Sequence, residues 1–196
     1  MGSLVHLFET WEKVAALLST ASTLFLGLDY DGTLASIAPR PDMARMSSSV
    51  GAALLGLLQN HFITIAIISG RSLEDVKSLV GLSGLIYAGN HGLELEGPGF
   101  HHVHPLAYQS RPIIRRIYDE LALALSHITG ALVEDKGLSL SVHHRLVGRM
   151  EVPLVLRLVE GVTWPFRQFI KVTTGKRVME VRPLADWDKG KALLWL

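Results

Sequence analysis

The sequence contains no cysteine, which excludes a disulfide framework and any metal site built on thiolates. No hydrophobic run approaches the roughly 20 apolar residues that a membrane-spanning helix needs. The chain also has little net charge, +1 at pH 7, so it offers no broad basic surface for nucleic acid. Glu9, Glu12 and Lys13 interrupt the N-terminal apolar stretch, which therefore does not match a secretion signal. We expect a cytoplasmic protein with neither a membrane nor a nucleic acid as its partner.

The chain does contain enough apolar residues for a core. Of the 196 residues, 48% are hydrophobic, which suffices for one domain or for one domain that carries an insertion. The sequence has no internal repeats and no low-complexity segments.

The most informative segment is residues 25–34, FLGLDYDGTL. Residues 24–28 have the length and content of a buried β-strand, which ends at Asp29 and Asp31 before Gly32 allows a turn. Two carboxylates at the end of a buried strand repel each other unless a cation lies between them. Mg²⁺ is the natural candidate, because it prefers oxygen ligands and is commonly shared with a substrate phosphate. The alternative is a strand that ends in an ordinary Asp-Gly turn.

Two more strands are predicted beside the first one. Residues 62–68 precede Ser69-Gly70-Arg71, and residues 85–88 precede Gly89-Asn90-His91-Gly92. Helices are predicted between these strands, so the order of elements is that of an open α/β sheet. Ligands bind at the carboxyl ends of the strands in such a sheet, and all three polar segments are predicted to lie there.

Local signals predict the helices of this first part. Residues 4–20 are predicted to form an amphipathic helix, and Ser47–Ser49 to cap a second one. A third helix is predicted to begin after Ser72, with Asp75 completing a variant of the capping box. Residues 34–41 are predicted to form a loop because of their prolines.

From about residue 105 the pattern changes to helix, two strands, helix, two strands, which describes a small α+β unit. The predicted elements are helix 111–128, strands 131–134 and 138–143, helix 152–170 with breaks at Gly161 and Pro165, and a hairpin around Thr174-Gly175-Lys176. Another helix is predicted to follow Asp186. We predict a core at residues 1–104, an α+β cap at residues 105–180 and a return to the core at residues 181–196.

The polar residues at the predicted sheet edge suit phosphoester cleavage. This chemistry needs a nucleophile, a proton donor for the leaving oxygen and positive charge around the phosphoryl group. Asp29 is the candidate nucleophile and Asp31 the candidate general acid and base. Ser69 can donate a hydrogen bond to a phosphate oxygen, and Lys189 can supply the positive charge. Each residue also has an ordinary interpretation, as part of a turn or as a solvated side chain.

Several motifs in order resemble those of the trehalose-6-phosphate phosphatases, which are capped members of the haloacid dehalogenase superfamily. The motifs are Asp29-Tyr30-Asp31-Gly32-Thr33-Leu34, Ser69-Gly70-Arg71, residues 87–94 (YAGNHGLE), residues 136–145 (KGLSLSVHHR), Glu180-Val181-Arg182-Pro183 and Trp187-Asp188-Lys189-Gly190-Lys191. Together they extend from about residue 24 to residue 196, and their order is more specific than any single motif.

The resemblance implies an α/β fold, with a Rossmann-like parallel-sheet core and an inserted α+β cap. It implies that Asp29 forms an aspartyl-phosphate, that Asp31 acts as acid and base, and that Ser69 and Lys189 hold the phosphoryl group. Mg²⁺ is implied as the cofactor, on Asp29 and Asp31. A sugar phosphate is implied as the substrate, and a trehalose-6-phosphate synthase domain or protein is a candidate partner.

The candidate substrate-binding residues come from the sheet edge and from the predicted cap. They are Gly32, Thr33, Gly70, Arg71, Asn90, His91, Glu134, Lys136, His143, Arg145, Glu180 and Arg182. Among these, Glu134, Lys136 and Glu180 match the family positions that bind sugar hydroxyls. Charged groups suit a disaccharide because they bind hydroxyls more strongly than neutral groups do.

Three further groups of charged and histidine residues lie in the predicted cap or just before it. Glu134 and Lys136 are two residues apart and so share a face, where they bind a ligand or form only a surface salt bridge. His143 is expected to reach the ligand, whereas His144 is expected to point the other way. His101, His102 and His104 are expected in a loop, with a spacing poorly suited to a metal.

One feature of the family pattern is absent from the 196 residues. The superfamily has an acidic Gly-Asp-Asp motif after the helix of Lys189, and this sequence contains no Gly-Asp-Asp. We therefore expect a core that is incomplete at its C-terminal side, with residues 24–28 as an uncovered edge strand. Weak Mg²⁺ binding and low turnover are the expected consequences.

Three functions remain open from the sequence. The first is hydrolysis of trehalose 6-phosphate to trehalose and phosphate. The second is the same chemistry on another sugar phosphate, because the core motifs do not select the sugar. The third is a sugar-phosphate-binding or regulatory domain without catalysis.

Overall fold

The computed structural model describes residues 6–38 and 40–196, and these residues form two β-sheets with six α-helices. The first sheet has the strand order β1-β2-β3-β4-β5 and the second the order β6-β7-β9-β8. The predicted α/β class is confirmed.

The first sheet is mixed rather than wholly parallel. Its strands are β1 (Leu24–Asp29), β2 (Ile63–Ile68), β3 (Ile86–Gly89), β4 (Glu94–Gly97) and β5 (Phe100–Val103). Strands β1, β2 and β3 are parallel neighbours, with Asp29 beside Ile68 and Ile68 beside Ala88. Because the polar segments follow the last residues of these strands, they meet at one edge of the sheet, as predicted. β1 is the outermost strand of this sheet, which agrees with the prediction that residues 24–28 form an outer strand without a neighbour on one side.

The expectation that His101 and His102 lie in a loop was wrong. They belong to β5, which pairs with β4 in an antiparallel hairpin. The turn between these strands contains Gly99 at φ +83°, a conformation that glycine adopts without strain. The sequence signal was present, because glycine next to proline between two short β-prone segments favours a hairpin. Among the residues that the structure describes, no group of three His, Cys, Asp or Glu side chains is placed to hold a metal.

The helices of the first part begin close to the predicted residues. They are α1 (Trp11–Thr20, after a 3-10 turn at Leu7–Thr10), α2 (Ser48–Leu58) and α3 (Leu73–Val80). The predicted start of the first helix at residues 4 and 5, and Pro39 of the predicted loop, lie outside the described residues.

The capping residues behave as predicted except for Asp75. The Ser47 hydroxyl accepts a hydrogen bond from the Val50 amide, and the Ser72 hydroxyl accepts one from the Asp75 amide. A full capping box would also have the Asp75 carboxylate accept from the Ser72 amide. That carboxylate binds the Arg71 guanidinium instead.

The second sheet is antiparallel and carries two helices. Its strands are β6 (Leu132–Asp135), β7 (Leu140–His143), β8 (Ile170–Gly175) and β9 (Val178–Pro183), and its helices are α4 (Pro105–Leu125) and α5 (Val152–Thr163). The helix predicted over residues 152–170 ends at Thr163 and continues as a 3-10 turn, Trp164–Phe166. Pro165 ends the α-helix because proline lacks the amide that would continue it.

Each sheet has its own hydrophobic core. Tyr30, Ile65 and Ile67 are buried between the first sheet and its helices. Ile114, Leu121 and other residues of α4 and α5 cover the second sheet. The last helix, α6 (Lys189–Trp195), packs back on the first sheet through Ala192, beside Ile68, Ala88 and Leu95.

None of the helices in the described part of the chain is both long enough and apolar enough to cross a lipid bilayer.

Candidate active site

Asp29 and Lys189 meet at the carboxyl end of β1. Asp29 is the last residue of β1 and Lys189 is the first residue of α6, whose N-cap is Asp188. Lys189 Nζ donates a hydrogen bond of 2.8 Å to Asp29 Oδ2. The two side chains are 33% and 44% exposed, so solvent and a ligand can reach both.

Asp31 is held by the guanidinium of Arg71. Arg71 Nε donates to Asp31 Oδ2 at 2.9 Å, and Arg71 Nη2 donates to Asp31 Oδ1 at 2.8 Å. A bidentate pair of this kind fixes orientation as well as distance. Burial by itself lowers the pKa of Arg71, but the hydrogen bonds to Asp31 and Asp75 outweigh burial and raise it.

The segment after Asp31 makes a tight turn. Gly32 has φ +85°, and its amide donates to the Ala35 carbonyl oxygen at 2.7 Å. The Ala35 amide donates to the Tyr30 carbonyl oxygen at 3.0 Å. The carbonyl oxygen of Asp31 accepts no hydrogen bond within the described ranges, so it is available to a ligand.

Ser69 follows β2 and is fully buried. Its hydroxyl accepts a hydrogen bond of 3.1 Å from the Arg71 amide, and a hydroxyl that accepts from one group can still donate to another. A Cβ on the next residue, Gly70, would lie 2.8 Å from Cε1 of His91, so a larger residue there would displace the His91 ring.

A cleft of about 260 Å³ lies beside Asp31, between the first sheet and the second. Residues from both sides line it: Asp31, Ile37, Ala38, Arg40, Pro41, Ala44, Gly70, Arg71, Glu134, Lys136, His143, Arg145, Lys176, Arg177, Val178 and Glu180. Lysines and arginines outnumber carboxylates in this lining, which favours an anionic ligand.

Lys136 crosses from the second sheet to the first. Its side chain is only 8% exposed, and Nζ donates to the carbonyl oxygen of Gly70 at 3.0 Å. The same nitrogen lies 3.9 Å from Glu134 Oε2 and 3.9 Å from Glu180 Oε1. Glu134 and Lys136 therefore share a face of β6 and its turn, as their spacing predicted.

Each of these glutamates also binds a histidine. His143 Nε2 lies 2.7 Å from Glu134 Oε2, and His91 Nε2 lies 3.1 Å from Glu180 Oε1. Burial raises the pKa of Glu134, but the hydrogen bond from His143 and the charge of Lys136 outweigh burial and lower it. Burial likewise raises the pKa of Glu180, but His91 and Lys136 lower it to about 2.

Asn90 joins the two sheets from a fully buried position. Its Nδ2 donates to the Lys136 carbonyl oxygen at 3.0 Å, and its Oδ1 accepts from the Ser139 hydroxyl at 2.6 Å. Asn90 and His91 both have positive φ, 51° and 60°. These two residues form the junction between the sheets.

The family model for trehalose-phosphatase matches residues 27–196. Trehalose-phosphate phosphatases of Mycobacterium tuberculosis and Mycobacterium marinum are 41% and 40% identical over 169 residues, 86% of this chain. The chain belongs to the trehalose-phosphatase family.

Solved structures have the same fold. The trehalose-6-phosphate phosphatase related protein superposes with a TM-score of 0.76 at 24% identity, over 87% of this chain and 72% of that chain. The C-terminal domain of the C. albicans trehalose-6-phosphate phosphatase gives 0.77 at 22% identity, over 92% and 63%. The chain spans 42% of the length of the curated mycobacterial relatives it matches.

The cleft gathers only some of the residues that the family motifs suggested. Asp31, Gly70, Arg71, Glu134, Lys136, His143, Arg145 and Glu180 line it. The others do not line it: Asp29, Gly32, Thr33, Ser69, Asn90, His91, Arg182 and Lys189. Gly32 and Thr33 line a separate cavity, together with Arg45 and Ser47. Arg182 leaves its Nε buried without a hydrogen-bond partner in the described part of the chain.

Three basic residues of the cleft were missed from the sequence: Arg40, Lys176 and Arg177. Lys176 and Arg177 occupy the turn between β8 and β9, and Arg177 has φ 65°. The turn itself was predicted, so two adjacent basic residues in it were the available signal. The position of Arg40 depends on how the 34–41 loop folds, which no local pattern indicates.

Two oxygen ligands at the end of β1 suit Mg²⁺. Mg²⁺ is commonly bound by one or two carboxylates, with waters and a substrate phosphate completing the shell. The Asp29 carboxylate and the unused carbonyl oxygen of Asp31 are donors of that kind. The Asp31 carboxylate is committed to Arg71 in this structure.

Proposed function

We propose that this chain hydrolyses trehalose 6-phosphate to trehalose and phosphate through an aspartyl-phosphate on Asp29. The observation that carries the proposal is the 2.8 Å contact of Lys189 with Asp29, beside a cation-rich cleft that contains Asp31. The family membership and the names of the mycobacterial relatives support the same reaction.

In the first step, a carboxylate oxygen of Asp29 attacks the phosphorus atom, and the bond from phosphorus to the sugar oxygen breaks. The leaving oxygen takes a proton from the Asp31 carboxyl group, which gives trehalose. Each Asp31 oxygen accepts one hydrogen bond from Arg71 and has a second lone-pair site, which can carry the proton that the leaving oxygen takes.

In the second step, water attacks the phosphorus atom of the aspartyl-phosphate. Asp31 accepts a proton from that water, the bond between phosphorus and the Asp29 oxygen breaks, and inorganic phosphate leaves. Lys189 and the Ser69 hydroxyl stabilise the negative charge that the phosphoryl oxygens carry in both steps. The side chains of Asp29 and Asp31 end the cycle as they began it.

Mg²⁺ would be held by the Asp29 carboxylate and the Asp31 carbonyl oxygen. When bound there, it supplies positive charge next to the phosphoryl oxygens.

The sugar would lie against the second sheet, among Glu134, Lys136 and Glu180. Carboxylates accept hydrogen bonds from hydroxyls, and the Lys136 ammonium donates to them. His143 and His91 orient the two carboxylates. We propose that the second sheet with its helices is the cap of the predicted division 1–104, 105–180 and 181–196. A synthase partner stays a prediction.

Phosphate release from a panel of substrates tests the proposal. With Mg²⁺ present, the chain should release phosphate faster from trehalose 6-phosphate than from glucose 6-phosphate. Glu134→Ala should raise KM for trehalose 6-phosphate but not for p-nitrophenyl phosphate, which has no sugar. Equal effects on both substrates would contradict the sugar-binding role, and no release from either phosphosugar would contradict the reaction.

A further inference from the structure

Arg71 is a buried cation with almost no donor capacity left for a ligand. It is 6% exposed, and it makes four side-chain hydrogen bonds to residues that the structure describes. Two go to Asp31, one goes from Nη1 to Asp75 at 2.8 Å, and one goes from Nη2 to the Pro41 carbonyl oxygen at 2.9 Å. These bonds use all but one of the guanidinium N–H groups.

Arg71 also packs against Tyr30, and its backbone is held by hydrogen bonds. The guanidinium carbon lies 5.3 Å from the ring centre of Tyr30, which is fully buried and donates from its hydroxyl to the Ala44 carbonyl oxygen at 3.0 Å. The Arg71 amide donates to Ser69, and the Arg71 carbonyl oxygen accepts from the Asn90 amide at 2.6 Å. The end of β1, the end of β2 and the end of β3 therefore all contribute to its position.

We propose that Arg71 is a positioning residue that orients the Asp31 carboxylate, with Asp75 as its anchor, rather than a residue that binds the substrate phosphate. The inference rests on the proposed function, in which Asp31 transfers the protons. A phosphate-binding arginine needs several free N–H groups aimed at the ligand, whereas Arg71 retains one. Asp75, in the first turn of α3, holds the far side of the guanidinium so that Nε and Nη2 face Asp31.

Lysine cannot replace arginine in this arrangement. Its ammonium is a point charge without the planar fork that holds two carboxylate oxygens at once. Arg71→Lys therefore keeps the charge and loses the orientation, whereas Asp75→Ala keeps the fork and loses its anchor. Glu74→Ala is the matched control, because Glu74 is the other acid in the first turn of α3 and makes no hydrogen bond or salt bridge to Arg71 in the described part of the chain.

The direct test is the side-chain rotamer of Asp31, measured by NMR coupling constants in the 196-residue chain. We expect one χ1 rotamer in the unmodified chain and in Glu74→Ala, and averaged couplings in Asp75→Ala and Arg71→Lys. A single unchanged rotamer in both variants would overturn the proposal. Should Arg71→Lys fail to fold, Asp75→Ala alone decides, because Asp75 is part-exposed on a helix surface.

Kinetics separate positioning from phosphate binding. With trehalose 6-phosphate, Asp75→Ala should lower kcat roughly 10- to 100-fold with KM unchanged, since a misplaced proton-transfer group costs about that much. A rise in KM with kcat unchanged would assign Arg71 and Asp75 to substrate binding and overturn the proposal. If the unmodified chain releases no phosphate at all, the proposed function fails, and the rotamer measurement still decides the role of Arg71.

Discussion

Lys189 Nζ lies 2.8 Å from Asp29 Oδ2, although 160 positions separate the two residues in the sequence. The contact exists because α6 returns to the first sheet, where Leu193 packs so closely on β1 that a Cβ on Gly27 would lie 2.7 Å from Leu193 Cδ2. The nucleophile that we propose thus receives its cation from a helix that lies far from it in the sequence.

Lys189→Met should lower phosphate release from trehalose 6-phosphate by roughly 10²-fold, because one electrostatic group next to a transferring phosphoryl group is worth about that much. The thermal midpoint should change little, since both side chains are part-exposed and such pairs add little stability. Lys191→Met is the control, because Lys191 pairs with Asp186 and not with Asp29. Equal activity in the two variants would contradict the role of Lys189.

Asn90→Gly should loosen the junction between the two sheets. Glycine keeps the positive φ of Asn90 without strain, so the effect comes from the lost side chain and its bonds to Lys136 and Ser139. We expect a loss of roughly 1–3 kcal/mol in the free energy of unfolding, with faster hydrogen exchange over residues 136–140. Ser139→Ala, which removes one of the two bonds, should show a smaller loss. Unchanged exchange would contradict the role of Asn90 as a link.

Gly89→Ala should destabilise the chain strongly. A Cβ at Gly89 would overlap the Leu73 backbone nitrogen and lie 2.6 Å from Leu73 Cα, at the place where β3 meets the start of α3. Backbone atoms cannot move aside as a flexible side chain can, so we expect a loss of roughly 2–4 kcal/mol. Gly56→Ala is the control: Gly56 lies inside α2, and a Cβ there would meet no atom within 4 Å outside the helix's own backbone. This variant should gain roughly 0.5–1 kcal/mol in the free energy of unfolding, measured in urea. Similar effects at both positions would contradict the close packing of Gly89 on Leu73.

The lowered pKa of Glu180 predicts that the folded chain loses stability in acid. Its folded pKa, about 2, lies below the ordinary value of 4.5 because His91 and Lys136 outweigh the effect of burial. A lowered folded pKa contributes stability above the unfolded pKa, and this stability is lost as the pH falls from about 4.5 towards 2. Glu180→Gln should therefore be less stable than the unmodified chain at pH 7, by roughly 1–3 kcal/mol.

The difference between the two chains should shrink on going from pH 7 to pH 3, as measured by urea unfolding at each pH. Glu160→Gln, at an exposed position on α5, is the control and should show no such change with pH. A difference that stays constant with pH would show that Glu180 stabilises the fold in some other way.

Local patterns predicted much of the fold and part of the site. The apolar runs before Asp29 and Ser69 identified β1 and β2, and their parallel pairing followed from the α/β order of elements. Strand register was less accessible, because it depends on contacts between distant residues. The hairpin β4–β5 was missed because each strand has only four residues and its histidines carry no clear alternation.

The partners of the site residues were the hardest to predict. Nothing in the sequence near Asp31 indicates that Arg71 binds both of its carboxylate oxygens. The sequence likewise does not indicate the pairs of His143 with Glu134 and of His91 with Glu180. The first depends on how β6 and β7 pair, and the second on where the second sheet lies over the first. Motifs identify residue types at a sheet edge, whereas these pairs are properties of the folded chain.

Phosphate release from trehalose 6-phosphate by Asp29→Asn, measured with Mg²⁺ beside the unmodified chain, tests the central claim most directly. The amide keeps the shape of the side chain but is a poor nucleophile, so the account predicts release by the unmodified chain and none above background by the variant. Release at equal rates from the two proteins would contradict the assignment of Asp29 as the nucleophile.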